Sequence, residues 1–504
     1  MTRFGAVDIG ANSVRLKIVR LRGRQLTVLA EDREVVRLGE AVFRTGVLDP
    51  QAMENTVKVL RRFHRTAQTL GVNQVRVVAT SSLRDATNAS AFIDWVKSAT
   101  GWTVEVISGL EEGRLIHLGV ISNTRVSGRM LLIDLGGGSC ELTLSNDRQI
   151  KDIVSLPLGA VRLTKEFLRH DPPKKKELEQ MRSFIQEELL RVVRRMSREK
   201  AQVSIATSGT AAALNDLHAA QSKIKVASVP RLAVLNLASR LAKLPLEQRL
   251  ALPGIGPRRA EIIIAGATVF GELLTHLNLP SYRYLPLGLR DGVLAQMVAD
   301  YDRHTRVHKQ VDSERERSLG LMGQRYEIDR RYAQRVRDTV VQLFNRLKSV
   351  HRLPPEYMEW IAAAAMLHEI GSYINRAGRH RHAYYLIANS ELFGYTTRQR
   401  AIVAAIARYA GNSRPRPQDR IVRILPDLDR HFAIQAVALL RLAIALDKSR
   451  SGVVREFRVT VDPSAVKLAI YAKKGAGDLE LWAVEKERNY FRAVFGKGLM
   501  AALA

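Results

Sequence analysis

One turn occurs twice in this chain. Residues 5–16 read GAVDIGANSVRL and residues 131–142 read LLIDLGGGSCEL, so Asp8, Gly10 and Ser13 recur as Asp134, Gly136 and Ser139, 126 positions later. Each copy is an apolar run, an aspartate, a glycine turn, a serine and a return to alternating apolar residues, the pattern of a buried strand folding back on itself. Recurrence at identical offsets restricts the chain to folds built from two similar α/β halves. If the halves face each other, both turns lie on one cleft. One position breaks the repeat in sign: two residues after the serine stands Arg15 in the first copy and Glu141 in the second.

The rest of the pattern fits two halves followed by something different. Strand and helix signals alternate over residues 1–125: a hairpin around Gly23, a helix from Asp49-Pro50 to Gly71, a strand at 74–80, a helix at 88–100 closed by Gly101, a strand at 103–108 and a helix from about Glu111. The alternation restarts over 126–303, with a hairpin turning at Asn146-Asp147, a helix over 172–199 entered through prolines, and a strand with a small-residue turn in QVSIATSGT. Residues 304–450 carry helical spacing with no strand alternation. The tail, 451–504, predicts strands in EFRVTVD, VKLAIYA and LELWAVE and a final helix. The 504 residues leave room for these four segments.

A strand running into a glycine turn exposes backbone N–H groups, which suit phosphate oxygens. Gly136, Gly137 and Gly138 let the backbone approach an anion closely, and Asn12, Ser13 and Ser139 add side-chain donors. A third turn, Thr207-Ser208-Gly209-Thr210, has the same small, hydroxyl-rich build. Arg15 is suited to clamp a phosphate, and Asp134 with Glu141 to hold Mg2+ or another divalent cation through oxygen and water contacts. Opposed charges across one cleft suit phosphoryl transfer, which is mostly positioning and charge neutralisation. Glu111 and Glu112, in ISGLEEGRLIHLGV, open a helix just after a strand, where one of them can reach the cleft as a base for water; the helix dipole alone also favours glutamate there.

GAVDIGANSVRL, ATSSLRDATN, ISGLEEGRLIHLGV, LLIDLGGGSCEL and ATSGT, in this order, resemble the exopolyphosphatase / guanosine pentaphosphate phosphohydrolase family. The resemblance implies duplicated actin-like (ribonuclease H-like) α/β domains, a helical HD-like domain and a small α+β C-terminal domain. It implies that Glu112 activates water, that Asp134 and Glu141 are the Mg2+-associated carboxylates, and that Arg84 contacts substrate phosphate. It also implies hydrolysis of the terminal phosphate of inorganic polyphosphate, with guanosine pentaphosphate (pppGpp) as the alternative substrate, and a homodimer. Cys140 departs from the threonine common at that position. An HD-type metal site would use His351, His368, residue 369 and Asp447, but residue 369 is Glu rather than Asp. The crowded RAGRHRH stretch, with Arg376, Arg379, His380, Arg381 and His382, suits a polyphosphate track.

Charge bears on partners. There are 79 Lys and Arg against 50 Asp and Glu, a formal net charge of +29, which attracts polyanions and favours a long polyphosphate chain over a single nucleotide. LPGIGPRRAEII, at 252–263, is similar to a DNA-backbone-binding helical hairpin. Its place inside the second α/β half favours a scaffold turn instead, so no specific nucleic acid is expected. A pure polyanion binder would gain nothing from Glu112, Asp134 and Glu141. One cysteine and the lack of a signal-like N-terminus or membrane-length apolar run lead to the expectation of a cytoplasmic protein.

Overall fold

The computed structural model describes residues 2–23, 25–197, 200–222 and 227–504, in two compact units, residues 1–310 and 311–504.

The first unit is built on two sheets with one topology. In the first sheet, β1 (Thr2–Ile9), β2 (Ser13–Arg22) and β3 (Gln25–Val35) form an antiparallel meander, and β4 (Gln74–Ala79) and β5 (Val104–Val106) add in parallel on the other side of β1, giving the order β3-β2-β1-β4-β5. In the second, β6 (Arg129–Leu135), β7 (Cys140–Asn146) and β8 (Gln149–Leu156) repeat the meander. There β9 (Val203–Thr207) takes the place of β4 beside β6, and β10 (Val229–Pro230) and β11 (Ser281–Tyr284) complete the order β10-β11-β9-β6-β7-β8. The duplicated sequence is therefore a duplicated sheet. Its central strands are apolar on both faces, as strands covered by helices must be: the neighbours Ala6 and Val7 in β1, and Leu132 and Ile133 in β6, point to opposite faces and are all buried.

Several boundaries follow from local chemistry. Asp49 caps the helix Pro50–Thr69 by accepting from the Ala52 N–H at 2.9 Å. Ser108 does the same for Gly109–Asn123, accepting from the Glu111 N–H at 3.1 Å. The second hairpin turns on Asp147 and Arg148, both at positive φ, one residue later than the sequence suggests. The helix expected over 172–199 is Lys175–Met196; residues 198 and 199 lie outside the described residues. The helices Gly109–Asn123 and Leu289–Tyr301 pack backbone to backbone. A Cβ on Gly292 would fall 1.7 Å from the Leu115 carbonyl oxygen, and one on Gly119 2.7 Å from the Gly292 nitrogen. This crossing fixes the helix that carries Glu111 and Glu112.

The second unit is helical, including Arg306–Arg325 (most of it in this unit), Arg330–Arg346, Tyr357–Leu367, Arg379–Asn389, Thr397–Arg408 and Asp427–Ala445. It ends in a sheet of β12 (Val454–Val461), β13 (Ala465–Ala472) and β14 (Gly498–Leu503). One hydrophobic core runs from Leu319 to Leu499 through both parts. Two expectations are corrected here. LELWAVE belongs to a helix, Asp478–Lys486. The Leu479/Leu481 alternation suggested a strand, but the buried residues are Glu480, Ala483 and Val484, at helical spacing, and Asp478 and Glu480 suit the first helical turn. The chain also closes on a strand rather than a helix: a helix does occupy Arg488–Phe495, but Gly498–Leu503 then pairs in parallel with β13. Partner-strand pairing overrides the helix preference of its alanines. No helix among the described residues is long and apolar enough to cross a membrane.

Candidate active site

The two turns have the same internal geometry. The Gly10 N–H donates to the Ser13 carbonyl at 3.1 Å, and the Gly136 N–H donates to the Ser139 carbonyl at 2.9 Å. In the first hairpin Asp8 lies directly across the ladder from Arg15; in the second, Asp134 lies across from Glu141. The sign change noted in the sequence thus sits at one equivalent cross-strand position. The turns also touch each other: a Cβ on Gly137 would come within 3.1 Å of the Ala11 Cβ.

A cleft opens where they meet. Its walls include Asp8, Asn12, Ser13, Arg15, Glu112, Asp134, Gly136, Gly137, Ser139, Ser208 and Gly209, so most of the residues proposed from the sequence converge on it. The third small-residue turn is the start of the helix Ser208–Ser222, with Ser208 at φ +88°, an N-terminus suited to anions. Gly138, Thr210 and Glu141 stand behind the wall. Gly138 is packed so tightly that an added Cβ would lie 2.2 Å from Ser81 Oγ. Thr210 is buried and receives a 3.4 Å hydrogen bond from Arg259. Glu141 is buried and accepts from Ser155 Oγ at 2.7 Å. Arg84 stands beside the cleft wall: it donates to the Ile107 carbonyl at 2.8 Å and lies 3.7 Å from Glu112 Oε2.

The two adjacent glutamates separate cleanly. Glu111 is held by Arg114 at 2.7 and 2.8 Å, and Arg114 also reaches Gln296 at 3.0 Å, so its charge is matched in the interior. Glu112 is buried on the cleft wall, and its Oε2 has no hydrogen-bond partner among the described residues. Burial pushes the Glu112 carboxyl well up in pKa, and the neighbouring Glu141, Asp134 and Asp8 push it further, against the pull of Arg84. Glu141 and Asp134 are raised by burial as well, the first also by Asp134; hydrogen bonds from Ser155 and Ser139 to Glu141, and from Thr207 to Asp134, oppose the rise.

The unpaired buried atoms sort by chemistry. Asn12 Nδ2 is a donor without an acceptor, whereas Glu112 Oε2 and Glu141 Oε2 are acceptors without a donor. Such atoms are costly unless a ligand or solvent satisfies them. The carboxylate group is oxygen-only and crowded with like charge, the donor chemistry of a hard divalent cation. No set of three or more metal-capable side chains clusters tightly among the described residues, so a cation here would rest on one or two carboxylates with water and substrate oxygens.

Several cleft residues were not legible in the sequence. Arg259, from the LPGIGPRRAEII stretch, lines the cleft beside Ser208 and Gly209. Arg33 and Arg290 line an adjoining depression with Arg15 and Tyr284. Burial and the nearby Arg33 and Arg15 lower the Arg259 pKa to about 9, the mark of cations gathered in one place. Asp8 was visible as part of the repeated turn, yet only the fold puts its carboxyl on the wall.

In the second unit, His351 spends both ring nitrogens on the backbone, at the Phe344 carbonyl and the Leu353 N–H. Glu369 is paired with Arg379 at 3.2 Å and Arg450 at 2.6 Å, and Asp447 with Arg335 at 2.7 Å. These residues are engaged in internal contacts. Arg379, His380, Arg381 and His382 form the first turn of a helix, and Arg376 precedes it.

Comparison with known proteins agrees with this architecture. Residues 17–301 match the Ppx/GppA phosphatase family, and residues 315–487 match domain III of Ppx/GppA phosphatases. A Ppx/GppA family member from Aquifex aeolicus is 29% identical, with 60% of this chain and 99% of that chain covered and a TM-score of 0.52. An exopolyphosphatase from Cytophaga hutchinsonii is 25% identical over 59% of this chain and 98% of that chain, with a TM-score of 0.56. With more than half its length matched, and with the duplicated hairpins meeting at one cleft, this chain belongs to the Ppx/GppA phosphatase family.

Proposed function

We propose that the chain is a Mg2+-dependent exopolyphosphatase that removes the terminal phosphate of inorganic polyphosphate. The observation that carries this reading is the pairing of opposite needs at one cleft: on its wall a donor without a hydrogen bond, Asn12 Nδ2, and an acceptor without one, Glu112 Oε2, with a second such acceptor, Glu141 Oε2, just behind it. In this reading Asn12, Ser13, Arg15 and the backbone N–H groups of the turns hold the terminal phosphate, with the helix start at Ser208 and Gly209 on the opposite wall. Arg84, 3.7 Å from Glu112, holds the base in place and offsets part of the negative charge around it. Water attacks the terminal phosphorus, Glu112 takes a proton from that water, and the bridging P–O bond breaks. The products are orthophosphate and a chain one phosphate shorter. Mg2+ held by Asp134 and Glu141 would neutralise charge on the phosphate oxygens and keep Glu112 ionised. The net charge of +29 and the gathering of Arg15, Arg33, Arg259 and Arg290 around the cleft favour a substrate with many consecutive phosphates over one nucleotide.

The test is phosphate release with Mg2+ from long polyphosphate and from guanosine pentaphosphate in parallel. Faster turnover of polyphosphate is expected. Faster turnover of the nucleotide would keep the site and reassign the substrate; release from neither would overturn the reading.

A further inference from the structure

The ladder registers place four residues in one row across the second sheet. Thr207 pairs with Asp134, Asp134 with Glu141, and Glu141 with Ser155, on β9, β6, β7 and β8. Directly paired residues on neighbouring strands share a face of the sheet, so two carboxylates stand side by side with a hydroxyl at each end. The corresponding row of the first sheet runs through β4, β1, β2 and β3 as Val78, Asp8, Arg15 and Arg33. That row has an apolar end and two arginines. The row in the second sheet has no cation at all.

Each hydroxyl is spent on the carboxylate beside it. Ser155 Oγ donates to Glu141 Oε1 at 2.7 Å, and Thr207 Oγ1 donates to Asp134 Oδ1. A hydroxyl has one proton to give, so each fixes a carboxylate oxygen without cancelling the charge. An arginine in either place would hold the carboxylate and neutralise it, as Arg114 does for Glu111. The other oxygen of Glu141, Oε2, is buried with no hydrogen-bond partner among the described residues, and Asp134 lies on the cleft wall.

Packing closes both ends of the row. A Cβ on Gly109 would collide with Ser155 Oγ and lie 3.5 Å from Glu141 Oε1, and one on Gly113, a turn later, would lie 3.1 Å from Thr143 Oγ1 and 3.6 Å from Glu141 Cβ. The helix that carries Glu112 therefore rests with its backbone against the Ser155–Glu141 pair. Thr207 is fully buried at the end of its strand, just before the turn at Ser208.

We propose that Ser155 and Thr207 are positioning residues for the divalent cation. Each holds one oxygen of its carboxylate and leaves the other, with its charge uncancelled, for the cation. This rests on the assignment of Asp134 and Glu141 to Mg2+ and extends it to two residues that touch neither the cation nor the substrate.

The test titrates Mn2+, standing in for Mg2+, into the substrate-free full chain and follows it by electron paramagnetic resonance. The proteins are the parent, Glu141→Gln, Ser155→Ala, Thr207→Val and Thr207→Ser, each with its metal-free melting temperature. Ser155→Ala removes one oxygen and adds no bulk, and valine keeps the shape of threonine. The Mn2+ Kd should rise about 10–100-fold in Ser155→Ala and in Thr207→Val, the usual cost of losing a group that orients a metal ligand. Thr207→Ser keeps the hydroxyl and should bind like the parent. A purely structural hydroxyl would instead lower the melting temperature and leave Mn2+ affinity alone. Parent-like affinity in Ser155→Ala and Thr207→Val, beside weakened binding in Glu141→Gln, would overturn the proposal and leave the cation where it is assigned. Parent-like affinity in Glu141→Gln would overturn that assignment, and the proposal with it. Equal weakening in Thr207→Ser and Thr207→Val would show that the methyl matters rather than the hydroxyl, and would overturn the role of Thr207.

Discussion

The hairpins β1–β2 and β6–β7 share a turn, a register and a hydrogen bond from glycine N–H to serine carbonyl. They differ where it matters for chemistry. The partner across from the buried aspartate is a cation in one, Asp8 with Arg15, and a second carboxylate in the other, Asp134 with Glu141. In the first hairpin Arg15 opposes the cost of burying Asp8, with help from Arg290 and Arg33. In the second the cross-strand partner is itself a carboxylate, and Asp134 pushes the Glu141 pKa up; the cations that oppose the rise come from outside the hairpin, Arg15 for Asp134 and Arg84 for Glu141. A duplicated scaffold has thus been divided into one side that attracts phosphate and one side left short of positive charge. Buried like charges of this sort are tolerated where a function requires them.

The sharpest way to break this comparison is to remove the group between the two sides. Glu112→Gln should lower the rate of phosphate release by about 10²–10⁴-fold, the usual contribution of a positioned base, with little change in KM. A rate within a few fold of the parent would remove Glu112 from the role of base. The neighbouring glutamate gives the contrast in stability. Arg114→Ala leaves the Glu111 carboxylate without its buried partner and should cost about 3–5 kcal/mol, read as a large drop in the urea midpoint. Only a small drop would show that Glu111 is not held by that pair.

The next effects separate the hairpins from each other. Glu141→Gln should raise the Mg2+ concentration for half-maximal activity by about 10-fold or more, with polyphosphate KM less affected. Arg15→Ala should raise polyphosphate KM by about 10-fold or more, as loss of a charged hydrogen bond of ~1.5–3 kcal/mol implies, with the Mg2+ requirement unchanged. Kinetic titration of each variant against both ligands checks the split, and equal losses on both axes would erase the division of labour.

The smallest effect is on stability against pH. Asp8, Glu112, Asp134 and Glu141 all have raised pKa values in the folded chain, with burial as the leading cause. A carboxyl raised in this way binds more protons folded than unfolded between its two pKa values. The metal-free protein should therefore lose stability as pH rises through that window and be favoured below the unfolded value. The Tm of the metal-free parent should fall more steeply between pH 5 and 8 than that of Glu141→Gln, by about 2–4 °C, and Mg2+ should remove most of the difference. Parallel curves would mean that the cluster is neutralised by the protein itself.

Most of this division is legible in the sequence because it is local. The turn spacing sets the hairpin, the hairpin sets the register, and the register places Arg15 and Glu141 across from their aspartates. Glu112 is harder to assign: its position in a first helical turn equally suits a solvent-facing residue, and only the Arg114 pair shows which of two adjacent glutamates is left for the cleft. Arg33, Arg259 and Arg290 were not legible at all. They come from β3, a short helix within the second half and the start of Leu289–Tyr301, and nothing local says that these segments end at one place. The Arg259 stretch even suggested scaffold alone, since its glycines and prolines account for the turn without any role for the arginine. LELWAVE failed for a related reason, because two leucines at alternate positions fit a strand until the burial of Glu480 shows which face is covered.

The central claim is that one hairpin serves the anion and the other the cation. The most direct measurement is Mn2+ binding, standing in for Mg2+ and followed by electron paramagnetic resonance, in the substrate-free parent and in Glu141→Gln and Arg15→Ala. Glu141→Gln should lose most of the bound Mn2+, while Arg15→Ala should bind it at least as tightly as the parent. Undiminished binding in Glu141→Gln, or equal loss in both variants, would contradict it.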